Sequence, residues 1–127
     1  QLGKVIIGND VMIGGNTVVS RGSLSDTIIG RNCHIGGQCY IAHNCIIGDH
    51  VYMASCASLA GSAIISERCF LGFRSSVRDH VKIAPRVTIG MNVEVRKSII
   101  NEGITMASKN TPVELPPGTL FSLKRER

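Results

Sequence analysis

Residues 27–48 read Thr27-Ile28-Ile29-Gly30-Arg31-Asn32, Cys33-His34-Ile35-Gly36-Gly37-Gln38, Cys39-Tyr40-Ile41-Ala42-His43-Asn44, Cys45-Ile46-Ile47-Gly48. Divided in this way, a large aliphatic falls third in each group. Carried outward, the frame places Ile29, Ile35, Ile41, Ile47, Met53, Leu59, Ile65, Leu71, Val77, Ile83, Ile89 and Val95 at strict steps of six. The residue after each anchor is Gly, Ala or Ser, with Arg78 and Arg96 as the exceptions. The residue two places before it is Thr, Cys, Val, Ala or Ser throughout.

A step of six matches neither the helical period nor the heptad, but it is three strand periods, so each anchor shares one strand face with its i−2 partner. The chain must then turn after every short strand. Glycine suits that turn because it adopts backbone angles other residues avoid. This is the hexapeptide signature of an all-β parallel β-helix, in which three hexads close one triangular coil and residues eighteen apart stack. The frame extends back to Ile7, Ile13 and Val19, and the step from Val19 to Ile29 is ten, so four extra residues loop out within 21–26. The hexads of residues 5–96 give about five coils, a column of roughly 24 Å at a strand spacing near 4.8 Å. Its interior is filled with aliphatics and leaves no room for a cofactor. Chemistry must lie outside.

The 127 residues show no compositional break and are read as one β-helical domain over 1–109, followed by an extended C-terminal arm over 110–127. Pro112, Pro116, Pro117 and Gly118 forbid regular continuation there, whereas Met106 is placed to seat a last partial strand. The repeat begins by Val5, so no signal peptide is expected, and no apolar run is long enough to span a membrane. Cys33, Cys39, Cys45 and Cys69 occupy the i−2 slot and read as small buried hydrophobes, while Cys56 lies off that register and is expected to be more exposed. An odd set of five thiols points to a reducing compartment, hence a cytoplasmic location. No CxxC pair is present, and no metal is expected. The net charge of +5 owes part to Lys124, Arg125 and Arg127, read as a solvated tail. Without stacking aromatics in a basic stripe, nucleic acid is not an expected partner.

A bare prism has unpaired strand edges at both ends and apolar residues on its sides, which association with copies of itself would cover. Threefold association is expected, with three equivalent grooves between prisms. Of the histidines, His34 points outward from a strand, and His43, His50 and His80 fall at turns. His43 stands apart because Gly61 lies eighteen residues on, one coil up at the same corner. A Gly61 N–H can face an oxyanion formed beside the imidazole, and imidazoles in general suit proton transfer near neutral pH.

Arg21-Gly22-Ser23-Leu24-Ser25-Asp26-Thr27-Ile28-Ile29-Gly30 resembles the "RGALDDTVIG" loop of the UDP-3-O-acylglucosamine N-acyltransferase family. Gln38-Cys39-Tyr40-Ile41-Ala42-His43-Asn44 resembles its "QCQIAHN", and Leu59-Ala60-Gly61-Ser62 its "MAGS". Ser75 to His80 aligns with the segment that carries the family's second active-site histidine. The resemblance implies a left-handed coil, a homotrimer, no permanently bound cofactor, and an acyl-phosphopantetheine donor on acyl carrier protein or coenzyme A. It implies a nucleotide-activated amino sugar as acceptor in lipid A or surface polysaccharide synthesis. His43 would be the general base and Gly61 the oxyanion donor. Asn44 and His80 would orient the reactants, and Arg21, Asp26 and Gln38, from the same matched motifs, would help bind substrate or donor. The chain departs from the family in lacking its uridine-binding domain and C-terminal helices, in Ser20 where the family loop begins with Asp, and in Gly37-Gln38 for an Asn-Gln pair. Pro116-Pro117-Gly118-Thr119 is instead similar to the ending of hexapeptide acetyltransferases that use coenzyme A. Alternatives are a short-chain sugar N-acetyltransferase using acetyl-coenzyme A, and a non-catalytic trimeric scaffold or binding module. A zinc hydratase on the same prism is disfavoured, because His43 and His50 sit at different corners.

Overall fold

The computed structural model describes residues 2–108, and the predicted arm at 110–127 lies outside them. Three parallel sheets form the walls of a three-sided tube. The first holds Val5–Ile7, Thr27–Ile29, Ile46–Ile47, Ile64–Ile65 and Lys82–Ile83. The second holds Met12–Ile13, His34–Ile35, Tyr52–Met53, Phe70–Leu71, Thr88–Ile89 and Thr105–Met106. The third holds Val18–Val19, Tyr40–Ile41, Ser58–Leu59, Ser76–Val77 and Glu94–Val95. Successive strands visit the walls in rotation, so the strand ladders run between coils, while a few turn bonds such as Ser75 N–H to the Gly72 carbonyl at 3.1 Å close corners within a coil. The result is an all-β, left-handed parallel β-helix of five full coils, with a sixth opened by the Ile83↔Ile99 bridge on the first wall and continued by Thr105–Met106 on the second. Pairing joins residues eighteen apart, as in Ile46↔Ile64 and Tyr40↔Ser58; across the loop-out the step is twenty-two, as in Val5↔Thr27. Met106 does seat a partial strand, pairing with Ile89.

The anchors and their i−2 partners fill the tube. Ile29, Ile35, Ile41, Ile47, Met53, Leu59, Ile65 and Leu71 are all buried to within 1% of complete enclosure. Anchors are stacked on anchors, so each buries against two neighbours of the same kind, and the four i−2 cysteines are enclosed with them. Their thiols do more than fill space. Cys33, Cys45 and Cys69 donate at 3.1 Å to the carbonyls of Gly48, Ala60 and Ala84, and Cys39 at 3.3 Å to Ala54, in each case fifteen residues on. Burial pushes the thiols up, that of Cys69 to about 11. Cys56 is half-buried at a corner, as its register foretells.

The corners correct one reading of the sequence. The small residue after each anchor does not serve to reach unusual backbone angles. A Cβ on Gly8, Gly36, Gly48 or Gly72 would lie 2.7–2.9 Å from backbone atoms of the next coil, so the slot is small because coils approach closely there. The left-handed angles fall two residues later, on thirteen non-glycine residues from Asp10 to Asn92 with φ of 55–63°. Asn, Asp and His tolerate that region better than most, but Arg68, Arg74 and Arg86 adopt it too. Beyond the first coil each such residue donates its N–H to the coil below, to a carbonyl as Ser62 does to His43 at 3.0 Å and His80 to Gly61 at 3.1 Å, or, for Asn44, to the Thr27 hydroxyl. The repeating hydrogen bond holds the strained angle in place.

Two faces of the tube remain apolar. The first wall presents Ile6, Ile28, Ile46 and Ile64 outward in one column, with Ile6 and Ile46 exposed. The second carries a ladder of stacked rings, His34 on Tyr52 at 4.6 Å and Tyr52 on Phe70 at 5.2 Å. At the N-terminal end the anchors Ile7 and Ile13 are open to solvent, 46% and 38% exposed, because no coil of the described residues lies beneath them.

Candidate active site

Every turn from the third wall to the first stacks at one corner, and six of the seven candidate residues gather there. From the N-terminal end the column runs through the inserted loop with Arg21 and Asp26, then His43-Asn44, then Gly61-Ser62, then Asp79-His80. Gln38 does not join them. It lies on the corner between the second and third walls, where it accepts a bond from the Cys56 thiol at 3.7 Å. Within one chain Gln38 and His43 belong to different edges of the prism.

The inserted loop is built around Asn44. Its Nδ2 donates to the Ser25 carbonyl at 2.9 Å and meets Ser25 Oγ at 2.7 Å, while its Oδ1 accepts from the Ser23 N–H at 3.3 Å and from Ser23 Oγ at 3.2 Å. The Ser25 carbonyl can only accept and the Ser23 N–H can only donate, so the amide is fixed in one orientation. That same Oδ1 faces Nδ1 of His43 at 3.1 Å. An acceptor opposite Nδ1 calls for a proton on Nδ1, which leaves the lone pair on Nε2. The Asn44 backbone is tied as well, its N–H donating at 2.8 Å to the buried hydroxyl of Thr27.

The imidazole lies over Gly61. A Cβ at residue 61 would come within 2.6 Å of both Cε1 and Nε2 of His43, so only glycine leaves space for the ring in this position. The Gly61 N–H makes no hydrogen bond among the described residues, although its neighbours Ala60 and Ser62 both donate. Other corners leave an equivalent N–H open; at Gly61 an imidazole stands beside it. A nitrogen lone pair and an unengaged N–H thus share one small exposed surface.

Arg21 and Asp26 have structural work in the chain. Arg21 Nε donates to the Gly3 carbonyl at 3.0 Å, and Asp26 Oδ1 accepts from the Lys4 N–H at 3.1 Å, so both fasten the inserted loop to the first coil. His80 is exposed two coils above Asn44 in the same column. Sequence reasoning missed Ser23 and Ser25, which lie in the insertion where the period gives no register. It also missed a groove of about 560 Å³ on the third wall, lined by Tyr40, Ser58, Ser76, Arg78, Glu94 and Arg96. Its signal was present in the two arginines that interrupt the column of small residues. Among the described residues no three of His, Cys, Asp or Glu converge to hold a metal, and no helix is long and apolar enough to cross a membrane.

Comparison with known proteins agrees with this architecture. A model described as bacterial transferase hexapeptide (six repeats) matches residues 26–61, and one for the hexapeptide repeat of succinyl-transferase matches residues 4–22 and 62–97. The chain is 44% identical over 103 residues to UDP-3-O-acylglucosamine N-acyltransferase of Bordetella pertussis, covering 81% of this chain and 28% of that protein. It is 45% identical over the same length to the enzyme of that name from Herminiimonas arsenicoxydans, of which it covers 29%. It therefore spans less than a third of the length of these curated relatives. Among solved structures, Arabidopsis UDP-N-acetylglucosamine acyltransferase superposes with a TM-score of 0.83 at 28% identity, over 98% of this chain and 43% of that one. With hexapeptide models matching residues 4–22 and 26–97 and the tube itself in agreement, the chain belongs to the hexapeptide-repeat transferases.

Proposed function

We propose that this chain carries the catalytic corner of an N-acyltransferase that moves an acyl group from a phosphopantetheine thioester to the amine of a nucleotide-activated amino sugar, as in lipid A synthesis. The observation that carries the reading is the pairing of His43 Nε2 with Gly61, fixed from behind by Asn44. Nε2 takes a proton from the sugar amine as nitrogen bonds to the thioester carbon. The carbonyl electrons move onto oxygen, where the Gly61 N–H meets the developing charge. Collapse re-forms the carbonyl and expels the thiolate, which takes the proton back from the imidazolium. No metal enters these steps, and no cofactor stays bound.

The relatives' names supply the acceptor class, and the apolar column of Ile6, Ile28, Ile46 and Ile64 supports a homotrimer in which a neighbouring prism covers the first wall. Either acyl carrier protein or coenzyme A presents the donor, and the working compartment is the cytoplasm. The test is a screen of the full chain with acyl carrier protein and coenzyme A donors of several chain lengths against UDP-amino sugars. Amide product with at least one pair is expected. No product from any pair, with the protein folded, sinks the reading and leaves a binding module.

A further inference from the structure

Arg78 and Arg96 break the rule of a small residue after the anchor, and they break it in adjoining coils of the same wall. Ser76 pairs with Glu94 and Val77 with Val95, and the Arg78 N–H donates to the Val95 carbonyl at 3.0 Å, so the two arginines leave the backbone side by side. Like charges directly opposite on a sheet destabilise it. Here the repeat needs neither. In the coils below, Ala42 and Ala60 fill the same column. Each guanidinium has a carboxylate on its own strand or turn, Arg78 to Asp79 at 3.7 Å and Arg96 to Glu94. All four side chains are more than half exposed, and exposed pairs of this kind hold weakly, which leaves the outer N–H groups of both arginines available. Both line the groove of about 560 Å³, whose floor carries the hydroxyls of Ser58 and Ser76 and whose lower end is closed by Tyr40. The groove also includes Ala60, the residue before Gly61, so it opens onto the corner that holds the imidazole.

We infer that Arg78, with Arg96 beside it, is a phosphate subsite: it takes a phosphate ester of a substrate whose reacting atoms lie at His43. The inference rests on the proposed acyl transfer for its substrates, both of which carry phosphate, the donor on its pantetheine arm and the acceptor between sugar and nucleoside. Arginine's planar fork suits a phosphate's paired oxygens. Arg78 stands two coils above His43, roughly 10 Å along the axis. A ligand anchored there by its phosphate lies lengthwise along the third wall, its reacting end directed towards Gly61.

Calorimetry on the full chain tests this with two pairs of probes, 4′-phosphopantetheine against pantetheine and UDP against uridine. Wild type is expected to bind one phosphorylated probe more tightly than its phosphate-free partner by on the order of tenfold or more, the range of charge-assisted bonds. Arg78→Ala abolishes that difference, Arg78→Lys keeps part of it, and added salt weakens it. The pair that responds identifies donor or acceptor as the source. The inference is overturned if neither phosphate improves binding, or if the improvement is the same in Arg78→Ala and Arg96→Ala as in wild type. The two readings fail separately. A phosphate preference that depends on Arg78, without amide formation from any donor and acceptor, keeps the subsite and removes the acyltransferase; turnover with no such preference does the reverse.

Discussion

Gly61 is glycine for a reason the repeat does not supply. Glycine recurs in this slot of the corner at Gly15 and Gly37, but elsewhere it holds side chains as varied as Arg31, His43, Asp49, Glu67, Phe73 and Met91, so the turn itself does not require glycine. At Gly61 the imidazole of His43 occupies the space a Cβ would need. Gly61→Ala is therefore expected to leave the thermal transition in place and to lower kcat by about 10²-fold, the order of loss that follows a displacement near 1 Å. Unchanged turnover would show that the ring does not work from this position. His43 and Gly61 were legible in the sequence because the period of eighteen stacks them, and the match to a known motif added the chemistry. The role of Asn44 was only half legible. It was expected to orient reactants, but its amide is engaged by Ser23, Ser25 and His43, and the first two lie in an insertion without register. Gln38 was read from the same motif as His43, yet five residues are nearly one wall, and the two fall on different corners.

At the level of the strand and its corner, the i−2 slot shows what a buried polar atom requires. Four cysteines fill it with the thiol bonded to a carbonyl, whereas the buried Ser75 hydroxyl has no partner among the described residues. Serine is too short to make the reach that sulfur makes. Ser75→Ala should raise the unfolding free energy by about 1 kcal/mol in urea titration, since the unmade bond is removed with the hydroxyl. A loss of stability would mean that Ser75 has a partner in solution. The buried thiols also set a pH dependence. Their ionisation is raised in the folded chain, that of Cys69 to about 11, so the unfolded chain releases its protons first. Stability from this source is whole below the ordinary thiol value near 9 and declines as pH rises towards 11. The melting temperature should fall over that window, and less steeply in Cys69→Val. Periodicity revealed the slot and its burial; it could not reveal the thiol bonds or the close approach of coils that keeps the following residue small.

At the scale of the molecule, the described residues form a filled tube with the proposed site on one edge and apolar faces on two walls. The interior is closely filled by buried aliphatics, so a second copy is proposed to complete the edge. The isoleucine column of the first wall adjoins the His43 corner, and covering it would bring a second prism against that corner. Ile46→Arg is expected to reduce the mass found by light scattering from three times the 13.6 kDa chain to one, and to reduce turnover with it. A trimer that persists in the variant would assign the interface to another wall. The measurement that reaches furthest is kcat for His43→Ala, made with a donor and acceptor that the wild type turns over and with assembly checked in the same sample. Loss of the general base should lower the rate by about 10²–10⁴-fold while the melting transition and mass stay as they were. A rate equal to that of the wild type would contradict the claim that this imidazole, seated over Gly61, takes the proton.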